Sequence, residues 1–394
     1  MTASPRVALL IETSVIYGRR ILSGIARYQR LHSRWSVFVE QHELGVGPPD
    51  WLFTGKWDGI LSRPTTPELA RLFHKMNVPV VDMNDLHEQL GLPWVGSDHA
   101  GIGRLGAAHL LERGYRHFAY AGFSGELWAA KRRDGFKSVV EAGGFPVSVY
   151  ESTWRGPGVP QWDADSEKIV RWLSKLPQPL AIMTCNDARG LHVLDACARL
   201  GALVPEQIAV VGVDNEDFLC ELCNPSLSSV EPDPERIGYT AAELLDSMMA
   251  GKKRAKPRRI QIDPIRVVAR RSTDALAIED RNVAAAMRFI RDQAARGCTV
   301  EDVLRHARVS RSFLERRFRH YLKRSPQSEI RAVQLSRVKQ LLVETDFTLE
   351  RIAESCGFKH PEYLSVLFKR LAGLTPGEYR KQHRTAPSKK LRPN

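Results

Sequence analysis

The feature that most constrains this chain is a change of apolar period near residue 280. Up to Arg270, short apolar runs alternate with amphipathic helical segments. From Asn282 onward the period is helical throughout and no strand-like run remains. One architecture does not accommodate both patterns, and 394 residues suffice for two or three domains. The chain therefore reads as an α/β part followed by an all-α part.

In the first part, strands are expected over residues 6–11, 37–39, 59–61, 78–83, 94–97, 117–122, 147–151, 181–185 and 209–213, and again within 260–270. Helices are expected between them over 17–31, 67–76, 100–113, 128–142, 188–200 and 235–250. Strands that are apolar throughout, rather than alternating, belong to parallel sheets covered on both faces. About ten such strands are too many for one small open sheet. Two doubly wound lobes are expected, the first at about 6–112 plus 231–258, the second at about 113–230 plus 259–272.

In doubly wound sheets, ligands bind beyond the carboxyl ends of the strands. Polar and aromatic residues recur there. Glu12, Thr13 and Ser14 follow the first strand, and Tyr17, Arg19 and Arg20 open the next helix. Asp98 follows 94–97. Trp128, Arg132 and Arg133 open the helix after Gly122. Asn186 and Asp187 follow 181–185, and Asp214 and Asn215 follow 209–213. Asp, Asn and Arg each make two hydrogen bonds to neighbouring hydroxyls, and an aromatic ring lies well on the C–H face of a sugar. Any one of these residues is also explained as a helix cap, for which Asp98, Asp187 and Ser14 are ideal types. Their recurrence at successive strand ends favours a polyol-binding cleft.

Enzymatic readings find little support. Gly101-x-Gly103-x-x-Gly106 fits a dinucleotide fingerprint, but Asp98 and His99 precede it and its glycines fall inside a helix. No H-E-x-x-H, Walker A or nucleophile-elbow motif occurs. The chain is expected not to be an enzyme and to need no cofactor or metal. Cys220 and Cys223 form a C-x-x-C without a second pair at zinc spacing. With Cys185, Cys197, Cys298 and Cys356 they read as reduced structural thiols. The apolar run at 7–11 is too short for a signal peptide core, and no run approaches a membrane span, so a cytoplasmic location is expected.

Charge separates the two parts further. Residues 278–394 carry 25 Lys and Arg against 13 Asp and Glu, a net of +12. The first 277 residues carry 33 against 32, a net of +1. Nearly all the excess sits in the helical part, as expected of a domain that meets a polyanion. The basic run 252–259 lies between a helix and a strand and reads mainly as a solvated loop.

The helical part is punctuated by start and stop signals. Thr299 to Asp302 is a capping-box-like start for a helix to about residue 306. Ser310 precedes a helix over 312–321 with a Ser312-x-x-Glu315 box of its own. Ser325-Pro326 opens a long helix to about 343. A short helix at 349–356 ends at Gly357, a further one runs over 362–372 to Gly373, and Thr375-Pro376 opens the last. Ala353 and Gly357, four apart, have helix-turn-helix spacing: the small residue permits a close crossing and glycine suits the left-handed turn. Leu304 and Arg308 stand at the matching places of an earlier pair.

Ser97 to Gly101, Arg132 to Phe136, Cys185 to Ala188, Val210 to Asn215 and Ser226 to Val230 resemble the sensor core of LacI/GalR repressors and periplasmic sugar-binding proteins. That resemblance covers most of residues 6–272, and it implies sugar contacts at Arg132, Asn186, Asp187 and Asp214, then Tyr17, Arg20, Asp98 and Trp128. Arg351 to Phe358, Tyr363 to Arg370 and Leu374 to Arg380 resemble the AraC/XylS DNA-binding domain. This second resemblance implies two helices in successive major grooves. Base-edge candidates are then Ser310, Arg311, Ser312, Glu315 and Arg316, with His360, Glu362, Tyr363 and Ser365. Arg317, Arg319, Lys359, Lys369 and Arg370 are phosphate candidates. Joined in this order, the halves resemble regulators of xylose operons. The expected layout is a sensor over 1–272, a linker over 273–281, a DNA-binding domain over 282–384 and a basic tail over 385–394. The resemblance implies a sugar-responsive activator, with D-xylose as effector, operator DNA and RNA polymerase as partners, and a homodimer. A regulator for another sugar, or one that represses, remains an alternative, with a nicotinamide-dependent sugar enzyme further behind.

Overall fold

The computed structural model describes residues 4–32, 35–40, 48–154, 161–251, 258–274, 280–322 and 324–383. Most of the expected linker, residues 252–257 of the basic run and the whole basic tail lie outside the described residues. The chain falls into two compact units, Met1–Ala277 and Ile278–Asn394.

The first unit begins β1 (Arg6–Leu10), α1 (Ile16–Leu31), β2 (Ser36–Val39), α2 (Trp51–Thr54), β3 (Gly59–Ser62), α3 (Pro67–Met76), β4 (Val80–Asp82), β5 (Trp94–Ser97) and α4 (His99–Leu111). It continues β6 (His117–Ser124), α5 (Leu127–Ala142), β7 (Val147–Thr153), α6 (Trp162–Leu173), β8 (Leu180–Thr184), α7 (Asp187–Leu200), β9 (Ile208–Val213) and α8 (Asp217–Leu222). It closes with β10 (Ser228–Glu231), α9 (Pro234–Met249), β11 (Arg259–Ile262), β12 (Arg266–Val268) and a 3-10 turn at Arg271–Thr273.

These strands form two six-stranded sheets, ordered β2-β1-β3-β4-β5-β11 and β7-β6-β8-β9-β10-β12. Neighbours run parallel except β10 and β12. Strands β3, β8 and β9 are buried along their whole length, as their unbroken apolar runs require. In each sheet the strand order reverses once, beside β1 and beside β6. A crevice opens at such a switch point because the flanking connections leave on opposite faces.

The lobe limits read from the sequence differ from the structure at two elements. Residues 99–111, assigned by sequence to the first lobe, form α4, whose Ile102, Ala107 and Leu110 join the core of the second sheet with Phe136 and Met183. Residues 259–262, assigned to the second lobe, form β11 and pair with the free edge of β5. The chain thus crosses between lobes after β5, after β10 and after β11. The glycines of the dinucleotide-like motif lie inside α4, where they set its distance from α5. A Cβ on Gly103 would stand 2.1 Å from the carbonyl oxygen of Arg132.

The second unit holds α10 (Arg281–Gln293), α11 (Val300–Ala307), α12 (Arg311–Leu322), α13 (Pro326–Glu344), α14 (Leu349–Ser355), α15 (Pro361–Ala372) and α16 (Pro376–His383). Two apolar cores lie along α13, one with α10 to α12 and one with α14 to α16. Gln334, buried on α13, joins them by donating to the carbonyl oxygens of Ala294 (3.0 Å) and Gly357 (3.3 Å). Thr299 and Asp302 form the expected reciprocal cap of α11. The second cap differs: Ser310, rather than Ser312, accepts from the backbone of Phe313, and Glu315 pairs with Arg311 at 3.4 Å. Among the described residues, no helix is long and apolar enough to cross a membrane.

Candidate functional site

The carboxyl ends of both sheets face a cavity of about 410 Å³. Its first-lobe wall includes Glu12 and Tyr17 after β1, Arg63 after β3 and Asp85 after β4. Its second-lobe wall includes His99, Trp128, Arg132, Trp154, Asn186, Asp187, Asp214 and Glu216.

Arg132, buried at the start of α5, organises the second-lobe wall. It donates to Nδ1 of His99 (3.3 Å), to the carbonyl oxygen of Cys185 (2.6 Å) and to Oδ1 of Asp214 (3.2 Å). Its guanidinium lies 5.0 Å from the Trp128 ring centre. Because His99 accepts at Nδ1, its proton sits on Nε2, which donates to Asp85 at 3.0 Å. Burial lowers the His99 pKa against the pull of Asp85. Burial opposes ionisation of Asp85, but His99 and Arg63 outweigh it and hold that carboxyl well below the usual range.

Asp187 behaves oppositely. It is buried at the first position of α7, accepting from Ser229 Oγ (2.6 Å) and from the backbone of Glu216 (2.9 Å). Burial, reinforced by the charge of Asp214, pushes its pKa up to about 8. A carboxyl that keeps its proton near neutrality both donates to and accepts from a hydroxyl. Asp214 and Asn215 adopt positive φ (104° and 50°), backbone strain concentrated at the cavity wall. Aromatic surface comes from Trp128 and Trp154, whose rings meet edge to face with centres 5.6 Å apart.

Six of the eight residues singled out from sequence line this cavity: Tyr17, Trp128, Arg132, Asn186, Asp187 and Asp214. Arg20 and Asp98 do not. Arg20 pairs with Glu231 (3.7 Å) and Glu235 (3.6 Å). Asp98 caps α4 through the Gly101 amide (2.9 Å) and pairs with Arg104 (2.8 Å). The cap of α7 is Asn186 rather than Asp187, and the N-cap position of α1 falls at Val15, without the side-chain cap expected of Ser14. Arg63, Asp85 and Trp154 had not been singled out, although each follows a strand end.

In the helical unit, Ser310, Arg311, Ser312 and Arg316 are exposed at or near the start of α12, with Glu315 partly so. Lys359, His360, Glu362, Tyr363, Lys369 and Arg370 are exposed along α15 and its approach, with Ser365 partly so. Arg331 on α13 stacks on Tyr363, 5.2 Å from its ring centre. Arg317 departs from its expected role as a phosphate contact: it pairs with Asp280 at 3.0 Å and covers Phe313. Val366, 68% exposed on α15, is an apolar residue that nothing in the sequence distinguishes from its buried neighbours Leu364 and Leu367.

Comparisons with known proteins agree with this layout. A periplasmic binding protein-like domain family matches residues 107–273, and a helix-turn-helix domain family matches residues 303–382. The xylose operon regulatory protein of Haemophilus influenzae is 32% identical over 383 residues, covering 95% of this chain and 98% of the relative. That of Escherichia coli K12 is 31% identical over 389 residues, covering 96% and 97%. The solved structure of the xylose-binding transcription activator xylR aligns with a TM-score of 0.80 at 28% identity, covering 98% of this chain and all of that one. The cellobiose complex of the regulator CelR, at 23% identity and a TM-score of 0.55 over 68% of this chain, shows the shared fold alone. With a sensor-like α/β unit and a helix-turn-helix unit matched nearly end to end, the chain belongs to the family of xylose operon regulatory proteins, and it is a transcriptional regulator rather than an enzyme.

Proposed function

We propose that the cavity binds D-xylose and that its occupancy changes how the helical unit engages operator DNA. The observation that carries this reading is the convergence of hydroxyl-binding and stacking groups from both lobes on one cavity large enough for a pentose, in a chain aligned end to end with a xylose-binding activator. Arg132, Asn186, Asp187 and Asp214 bind hydroxyls, and Trp128 and Trp154 cover a C–H face, with Tyr17, Arg63 and Asp85 closing from the first lobe. Arg20 and Asp98 are left out of this set because their partners lie elsewhere. A ligand held by both lobes binds a closed state better than an open one, and only that difference drives a switch.

On the DNA side, Ser310, Arg311, Ser312, Glu315 and Arg316 from α12, and His360, Glu362, Tyr363 and Ser365 around α15, reach toward base edges. Lys359, Lys369, Arg370 and Arg319 meet phosphates. The exposed Val366 suits a thymine methyl group. The reading extends to a homodimer acting in the cytoplasm as an activator, with RNA polymerase as a further partner.

The test is titration of the full chain with aldopentoses and aldohexoses, followed by tryptophan fluorescence and calorimetry. Saturable binding of D-xylose in preference to its epimers is expected. Preference for another sugar overturns the xylose assignment, and no binding by either method overturns the sugar site.

A further inference from the structure

Residues 270–273, near the end of the described part of the first unit, are held by a buried polar cluster that the sugar site does not use. Ser228 on β10, Ser272 and Thr273 in the closing 3-10 turn, and His109 near the end of α4 are all buried. Ser272 Oγ donates to the carbonyl oxygen of Val210 (2.6 Å) and accepts from the backbone of Ser228 (2.8 Å). Ser228 Oγ accepts from the backbone of Arg270 (2.7 Å) and from Thr273 Oγ1 (2.7 Å). Thr273 Oγ1 in turn lies 2.9 Å from Nε2 of His109. Arg113 donates to Nδ1 of His109 (3.0 Å) and to the carbonyl oxygen of Thr273 (2.7 Å).

The donors and acceptors close without a gap. Thr273 gives its proton to Ser228, so it accepts from His109, whose proton therefore sits on Nε2. Nδ1 is left bare to accept from Arg113. A buried network satisfied throughout fixes one geometry, because leaving any single donor or acceptor unpaired is costly. Residues 270–273 therefore belong mechanically to the second lobe, through β9, β10 and α4.

The next residue along β10 completes the argument. Ser229 points to the opposite face from Ser228, and its hydroxyl donates to Asp187 in the cavity wall. One strand thus carries the hydroxyl that holds the cavity's buried carboxyl on one face and the anchor of the exit segment on the other. We infer that β10, with Ser228, His109 and Thr273 as positioning residues, couples the state of the cavity to the segment from which the chain continues into the helical unit. This rests on the reading of the cavity as a sugar site.

The experiment uses the full chain, with D-xylose as ligand and a duplex selected by this protein from a random-sequence pool. Thr273→Val and Ser228→Ala are compared with the parent and with Thr273→Ser, which keeps the hydroxyl. In the first two variants, xylose affinity is expected to stay within about threefold of the parent. The sugar-dependent change in DNA affinity, on the order of 5–150-fold for allosteric couplings, is expected to collapse to about none. Hydrogen exchange at residues 270–274 should quicken in both, and Thr273→Ser should restore the response. Variants that exchange faster there yet respond to xylose like the parent overturn the inference. So does unchanged exchange, since the cluster would then not hold the segment. A parent chain that binds no sugar defeats the sugar reading itself, visibly in the parent titration, and the coupling falls with it.

Discussion

Asp85 Oδ1 and His99 Nε2 are 3.0 Å apart, and the two residues belong to different lobes. Asp85 follows β4, and His99 is the first residue of α4, immediately after the chain has crossed over. The bond continues through Arg132 to Asp214, so a hydrogen-bonded line of cavity-lining residues runs from the first lobe into the second. Asp85→Asn removes the negative charge that faces both His99 and Arg63 and leaves one accepting oxygen where two had served, so one of the two N–H donors loses its acceptor. Loss of a hydrogen bond to a charged group costs about 1.5–3 kcal/mol. Pentose affinity should fall by roughly 10–100-fold at that cost, as calorimetry would read it, with sugar-free DNA binding unchanged.

Asp214 sits opposite the buried Arg132, and removing one partner of a buried pair leaves the other charge uncompensated. Such losses run to about 3–5 kcal/mol when both groups are buried. Asp214 is partly exposed, so a loss at or below the low end of that range is expected for Asp214→Ala. Asp214→Asn should cost less because asparagine tolerates positive φ. Denaturant unfolding of the full chain, monitored on the sensor's tryptophans, measures both. A smaller loss for Ala than for Asn would contradict the roles given to charge and backbone.

The raised pKa of Asp187 gives a signed pH dependence. Its folded-state value of about 8 lies far above the ordinary 3.8. Between those values the folded chain holds a proton that the unfolded chain has released. The stability this group contributes is thus fully present below about pH 4 and declines as pH rises through 8. Asp187→Asn does not titrate, so the difference between parent and variant should change by several kcal/mol across that window. A difference that stays flat from pH 5 to pH 8.5 would show that Asp187 is ionised throughout.

The strand-end rule makes most of the polar and aromatic second-lobe wall of the cavity legible in advance. Tyr17, Trp128, Arg132, Asn186, Asp187 and Asp214 were all found by standing just past a buried apolar run. Arg63, Asp85 and Trp154 obey the same rule but follow short or ambiguous strands, so position alone gave them no prominence. Arg20 and Asp98 failed for a different reason: each has a nearer partner that sequence does not reveal, a pair of glutamates for one and the α4 amides for the other. The lobe crossovers were illegible because pairing of β11 with β5 joins residues about 160 positions apart, and no local pattern reports it. In the helical unit, capping signals located nearly every helix start, and the one misplaced cap, at Ser312, had a competing serine two residues before it.

Base-edge and phosphate contacts separate by their salt response. Lys369→Ala removes a positive charge from the outer end of α15 and should weaken binding about equally on all sequences, lowering the salt slope by about 1. Arg316→Ala should also relax discrimination at one base position by about 1–3 kcal/mol. Binding isotherms at several salt concentrations, on selected and scrambled duplexes, distinguish the two. Equal losses on both duplexes for Arg316→Ala would reassign it to the backbone.

The two turns of the helical unit make opposite predictions from the same backbone conformation. Gly357, between α14 and α15, has φ 72°, and Arg308, between α11 and α12, has φ 53°. A side chain in this region costs about 1–2 kcal/mol. At Gly357 space is short as well: a Cβ would lie 2.4 Å from the backbone nitrogen of Gly297 and 2.7 Å from the carbonyl oxygen of Ala294. Those are backbone atoms at the junction of the two helical cores, so they yield only if the cores separate. Gly357→Ala should therefore cost the helical unit more than about 2 kcal/mol and abolish DNA binding, while pentose binding by the sensor persists. Arg308→Gly removes the same strain at the other turn. It should raise the unfolding free energy of the helical unit, by up to about 1 kcal/mol once the added freedom of the unfolded chain is subtracted. If both substitutions were destabilising to the same degree, turn geometry would not be what distinguishes the two helix pairs.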